Sequence, residues 1–198
     1  MPREQSNLRL SSPHKLVWAG VGIVMLALSG AATSDSLPAS DRKVLPPATR
    51  AVESPQGDYR LELKNPDEKT ALAVLIATRE ANRTLWEKRL PHHHGPRVGL
   101  VGPDGTVVLL DEWINVFTKH AITVFGRDGA TLAVHSTDDV AAFLSLSRAE
   151  LAAKAKFGPW MRGAPFLTES GDHVAVPMGQ HSLLVNLRDG SLATAPSR

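Results

Sequence analysis

Six turn signals in three pairs constrain this chain more than anything else in it. Gln56-Gly57-Asp58, Pro103-Asp104-Gly105 and Ser170-Gly171-Asp172 form one series. Each is followed about twenty residues later by a second turn: Glu80-Ala81-Asn82, Arg127-Asp128-Gly129 and Arg188-Asp189-Gly190. Gly, Asn and Asp reverse a chain because they tolerate left-handed backbone that other residues resist. Apolar β-type runs lie between the turns, so the rhythm predicts stacked antiparallel β-units of propeller type.

The runs support that reading. Tyr59, Leu61 and Leu63 alternate with Arg60, Glu62 and Lys64, the period of a half-buried strand. Ala71 to Thr78 is apolar on both faces and reads as a central strand, and Thr84 to Leu90 returns after the turn. Val98 to Val101 and Thr106 to Asp111 flank Gly102-Pro103-Asp104-Gly105 as a tight hairpin; Ala121 to Phe125 and Thr131 to His135 flank the next turn. Pro165 to Thr168, His173 to Met178, Ser182 to Leu187 and Ser191 to Thr194 repeat the pattern. Asn82-Arg83-Thr84 has sequon form and is read as turn chemistry. One stretch breaks the rhythm. Ser136 with Asp139 and Ser147 with Glu150 have capping-box spacing, which predicts two short helices inserted near 137–157. Gly57 and Gly105 are 48 residues apart and Gly105 and Gly171 are 66 apart; removing roughly twenty helical residues restores a blade-like period.

The N-terminal segment reads differently. Arg3, Arg9 and Lys15 precede an apolar run from Leu16 to Leu28, and small residues follow at 29–32. These are the three parts of a signal peptide. The 13-residue run is shorter than the roughly 20 residues of a spanning helix, so cleavage is expected, with an uncleaved anchor as the alternative. Residues 33–56, broken by Pro38, Pro46, Pro47 and Pro55, read as a linker, and 57–198 as the β domain. An exported protein, periplasmic or extracellular in a bacterium, is therefore expected, touching membrane only through an uncleaved N-terminus. The leader holds three of the 22 basic and one of the 20 acidic residues, which leaves 19 of each beyond it. No basic stripe argues for nucleic acid. The lack of cysteine excludes thiol catalysis and thiolate metal sites.

The segments from Gly102 to Trp113, His120 to Gly129 and Ser136 to Val140 resemble a group of uncharacterised exported bacterial proteins with WD40-like or propeller-like repeats. The similarity spans about residues 57–194 and is carried by turn and strand motifs. It implies a mainly β fold of about three antiparallel units and carries no catalytic residues. The first unit is expected to lack its innermost strand. Three units fall short of the 4–8 blades of a closed propeller, so an open or partial stack, or closure by self-association, is expected.

Candidate sites are few. His92, His93 and His94 could ligate a metal, but successive residues of an extended chain point in alternating directions. Asp111-Glu112-Trp113 offers two carboxylates beside an indole, which could serve acid–base chemistry or bind a sugar face and makes Trp113 a binding candidate; on a strand the carboxylates face opposite ways, and Trp113 is expected to pack under the helical insert. His120, His135, His173 and His181 sit at strand ends and would join the others only if those ends converge. The loop from Phe157 to Gly163 makes Trp160 and Arg162 binding candidates, with Trp160 as a core anchor the plainer alternative. No nucleophile elbow, Walker loop, dinucleotide fingerprint or His-Glu-x-x-His helix is present. The sequence thus points away from an enzyme and toward a cofactor-free scaffold that binds a protein or envelope component. A metal-binding protein or metal-dependent enzyme using the histidines is the alternative.

Overall fold

A computed structural model of the chain describes residues 45–67, 70–114, 117–155 and 160–196. The chain divides into Met1–Asp41 and Arg42–Arg198, and every described residue belongs to the second part. The leader, residues 33–44 of the expected linker and Phe157, Gly158 and Pro159 lie outside the described residues.

Twelve described strands form three antiparallel sheets of four, and the sheets do not close into a barrel. The first sheet holds β1 (Thr49–Glu53), β2 (Tyr59–Lys64), β3 (Ala71–Ala77) and β4 (Arg83–Leu90). The second holds β5 (Pro96–Val101), β6 (Val107–Glu112), β7 (Ile122–Phe125) and β8 (Thr131–His135). The third holds β9 (Phe166–Leu167), β10 (His173–Pro177), β11 (His181–Asn186) and β12 (Leu192–Pro196). Within each sheet, strands lie side by side in chain order. The paired turn signals thus have fixed places: the first of each pair joins strands one and two, and the second joins strands three and four.

Two expectations change. The first unit has all four strands, because β1 supplies the one thought missing. Residues 49–53 therefore belong to the β domain and not to the linker. Their signal is weak: Arg50 and Val52 pair with Leu63 and Leu61, and only Val52 of these two is apolar. Arg50 replaces apolar burial with hydrogen bonds, donating to the carbonyls of Pro96 and Arg97 on β5.

The three sheets stack face to face through two cores. Leu61, Leu63, Leu75 and Trp86 of the first sheet meet Val107, Leu109 and Phe125 of the second. On the second sheet's other face, Val108, Leu110, Ile122 and Val124 meet Val174, Val176, Leu183 and Val185 of the third. Alternate residues of β6 thus enter opposite cores, and all six are buried. A strand buried on both faces loses polar–apolar alternation, as Val-Val-Leu-Leu shows.

The expected helices are α1 (Thr137–Phe143) and α2 (Arg148–Ala155). Ser136 and Asp139 exchange side-chain to backbone hydrogen bonds, and Ser147 and Glu150 do the same. Val140, Ala141 and Leu151 join the core between the second and third sheets, together with Trp160 and Met161.

Turn glycines set how closely the sheets approach. Gly105, at φ +88°, lies on the Tyr59 ring, where a Cβ would come within 3.1 Å. Gly171 repeats this against Pro103 at 3.0 Å. Among the second turns, Gly129 faces Trp86 at 2.9 Å and Gly190 faces the Ala133 Cβ at 2.3 Å. Each of these four turns therefore rests on the preceding sheet. Gly57, in the equivalent turn of the first sheet, has nothing within 4 Å of a Cβ position.

Candidate functional site

Polar side chains gather at one end of the second sheet, where the start of β5, the end of β6 and the approach to β7 meet. Gly95 accepts from the Trp113 amide at 3.1 Å and donates to the His92 carbonyl at 3.2 Å. His94 at φ +57° and Gly95 at φ +80° make the reversal that turns His92 inward. His92 is 1 % exposed, whereas His93 is exposed and His94 half-buried. The three successive histidines therefore do not form one set.

His92 instead meets His120, with ring centroids 5.3 Å apart. Burial first, then the neighbouring imidazole, lowers the His92 pKa to about 3. The His120 backbone pulls the other way, but no hydrogen bond of normal geometry reaches either His92 nitrogen among the described residues. His120 Nδ1 and Thr123 Oγ1 likewise lack described partners. His120 and Thr123 also line a cavity of about 240 Å³ between β4 and the β7–β8 hairpin.

The two carboxylates sit beside this pair. Asp111 is buried and left-handed, at φ +59°, a strained conformation that Asp tolerates better than most residues. Its Oδ1 accepts from the Glu112 amide at 3.0 Å, and its Oδ2 lies 3.8 Å from Arg97 Nε. Burial raises its pKa to about 6 against the pull of that amide and of Arg97. Glu112 accepts from the Thr118 hydroxyl at 2.6 Å. Trp113 is half-buried and does not belong to the core that the helices join. The Arg50 and Arg97 guanidinium carbons stand 5.0 and 5.9 Å from its ring centre, and Arg97 donates to its carbonyl at 2.7 Å. The expectation that Trp113 packs beneath the insert is corrected: Trp160 fills that place.

Trp160 is 1 % exposed and belongs to the core, so the anchor reading describes it better than the binding one. Arg162 is exposed and runs along Gly179. With Glu150, Ala153 and Met161 it borders a shallow depression of about 470 Å³. His135 bonds the Gly190 carbonyl at 2.8 Å, a structural tie between the second and third sheets. Among the described residues, no group of three His, Cys, Asp or Glu side chains is placed to hold a metal ion.

Sequence reasoning did not single out the outer face of the third sheet. There Phe166 pairs with Ala175, Ala175 with Leu184, and Leu184 with Ala193. These residues turn away from the core that Val174, Leu183 and Val185 enter. Phe166 is 46 % exposed, and the face encloses a depression of about 630 Å³. At one end Asp172 accepts from the Ser170 hydroxyl and lies 2.8 Å from His173 Nδ1. The Ser170 bond first, then His173, lowers the Asp172 pKa to about 2. Ser170 donates to the carboxylate and not to the imidazole, so this is not the arrangement that activates a hydroxyl nucleophile.

No protein-family model matches the chain, and no curated protein matches it.

Proposed function

We propose that this chain is an exported, non-enzymatic β-scaffold of the propeller-like bacterial kind, which binds a protein or cell-envelope component through the outer face of the third sheet. The observation that carries the reading is the apolar, partly exposed patch at Phe166 and Leu184, beside a depression of about 630 Å³. Phe166 is exposed and Leu184 half-buried on this face, and an exposed aromatic beside a concave surface is where a partner can bury apolar area. The basic-apolar-small leader supports export, and a formally neutral remainder fits a partner recognised by shape more than by charge. The metal-binding alternative has His92 and His120 in its favour. It is the weaker reading, since zinc sites take three or four protein ligands.

The test is cell fractionation followed by crosslinking in the envelope fraction. Phe166→Asp and Leu184→Lys should each reduce crosslinked partner at least tenfold while leaving the melting temperature in place. A cytoplasmic protein, or unchanged crosslinking in both variants, would refute the proposal.

A further inference from the structure

The two ends of the sheet stack differ in kind, and the difference says which end accepts another β-unit. Inside the chain, each junction lays one sheet on the next with turn glycines resting on the earlier sheet. The outer face of the first sheet is unsuited to such a junction. Arg60, Glu62 and Lys64 occupy β2 there, with Glu62 paired to both cations at 3.2 and 3.1 Å. The corresponding strands of the other sheets, β6 and β10, present Val107 and Leu109, or Val174 and Val176, toward the preceding sheet. Glu87 and Arg89 extend the charge along β4, opposite Val74 and Leu72. The first sheet also has Ala81-Asn82 where the second turns of the others have Asp-Gly, and its Gly57 meets nothing. It is built as a terminal cap, the polar end that stacked repeats require.

The third sheet has no such cap. Its outward strand positions are Phe166, His173, Ala175, Pro177, Ser182, Leu184, Asn186, Ala193 and Ala195; of these only His173, paired with Asp172 at one end, is ionisable, and Ala175 and Ser182 are already buried. Glu169 and Asp172 stand only at one end, in the β9–β10 turn. Of the two outer faces that a second copy could offer, the charged one mismatches this surface and the uncharged one matches it. A twofold axis across the strands would also set the acidic ends apart. We therefore propose that two copies of this chain associate through the outer faces of their third sheets, giving a six-sheet stack with a charged cap at each end. This rests on the reading of that face as a binding surface and names its occupant. Head-to-tail growth through the first sheet is disfavoured by the same charges. A four-strand face of about five residues measures roughly 19 by 17 Å. That is well under the ~800 Å² per partner of a standard interface, so association should depend on concentration.

Sedimentation velocity on the purified chain, in whatever processed form it accumulates, tests this from about 5 to 200 µM, a range suited to a small interface. The mass should rise from one chain to two. Leu184→Lys, or Ala193→Arg should that variant fail to fold, should weaken association at least tenfold with an unchanged circular dichroism spectrum. Leu72→Lys on the first sheet should leave the dimer intact. A chain monomeric throughout, a dimer that survives the third-sheet substitutions, or one lost equally with Leu72→Lys overturns the proposal. A monomer that still loses its envelope partner on Leu184→Lys removes self-association and spares the binding reading.

Discussion

His92 and Asp111 pull the pH dependence of folding in opposite directions. The folded protein keeps His92 neutral down to about pH 3, while the unfolded chain takes up a proton below 6.5. A lowered folded pKa means stability that is complete above pH 6.5 and lost as pH falls toward 3. Asp111 does the reverse. The folded protein holds its proton to about pH 6, and the unfolded chain releases it near 3.8. That contribution is complete below 3.8 and lost as pH rises through 6. Between 3.8 and 6 the two slopes cancel, one proton against one. Substitution should expose each of them. Relative to the parent, Asp111→Asn should gain at most about 1.4 kcal/mol per pH unit between pH 4 and 6 and then level off. His92→Gln should gain as pH falls below 6.5. Urea melts at half-unit pH steps measure both differences, and curves parallel to the parent's would refute the assignments.

At the scale of elements, the turns are docking points as well as reversals. Gly190 and Gly57 share left-handed backbone but differ in their surroundings. Gly57→Ala should cost only the strain of that backbone, about 1–2 kcal/mol. Gly190→Ala drives a Cβ into Ala133 and adds overpacking, about 1–3 kcal/mol more. Denaturant midpoints of the two variants give the comparison, and equal costs would show that the Gly190 turn does not seat the third sheet. These turns were legible in the sequence because Asp-Gly and Pro-Asp-Gly declare their backbone chemistry locally. Both helices were legible for the same reason, through the Ser136–Asp139 and Ser147–Glu150 pairs. Strand β1 was not, since its inward positions are one valine and one arginine held by hydrogen bonds to β5. Nor was the meeting of His92 with His120, which belong to different loops and come together only through sheet packing. The triple-histidine tract drew attention to the right segment, yet only its first member enters the site. The third sheet's outer face escaped notice because Ala175, Leu184 and Ala193 read as ordinary strand residues until register sets them side by side.

For the whole molecule, the second sheet is the keel. Its central strands β6 and β7 are buried on both faces, and β6 contributes to each core. Fully burying one Val or Leu side chain is worth about 1.5–3 kcal/mol. The exposed ion pairs of the first sheet are worth about 0–1 kcal/mol each, so apolar packing holds the stack. Amide hydrogen exchange should therefore be slowest in β6 and β7, at the rate of global unfolding, and far faster in β1 and β12 at the edges. Fast exchange in β6 would contradict this arrangement. The order of the strands has a consequence for how such a molecule comes into being. Every strand pairs with its immediate neighbours in the chain. Among the described residues no hydrogen-bonded ladder waits on a distant segment, and contacts close in sequence form fastest. The chain can thus be assembled in the direction it is synthesised, with each completed sheet serving as the floor for the next.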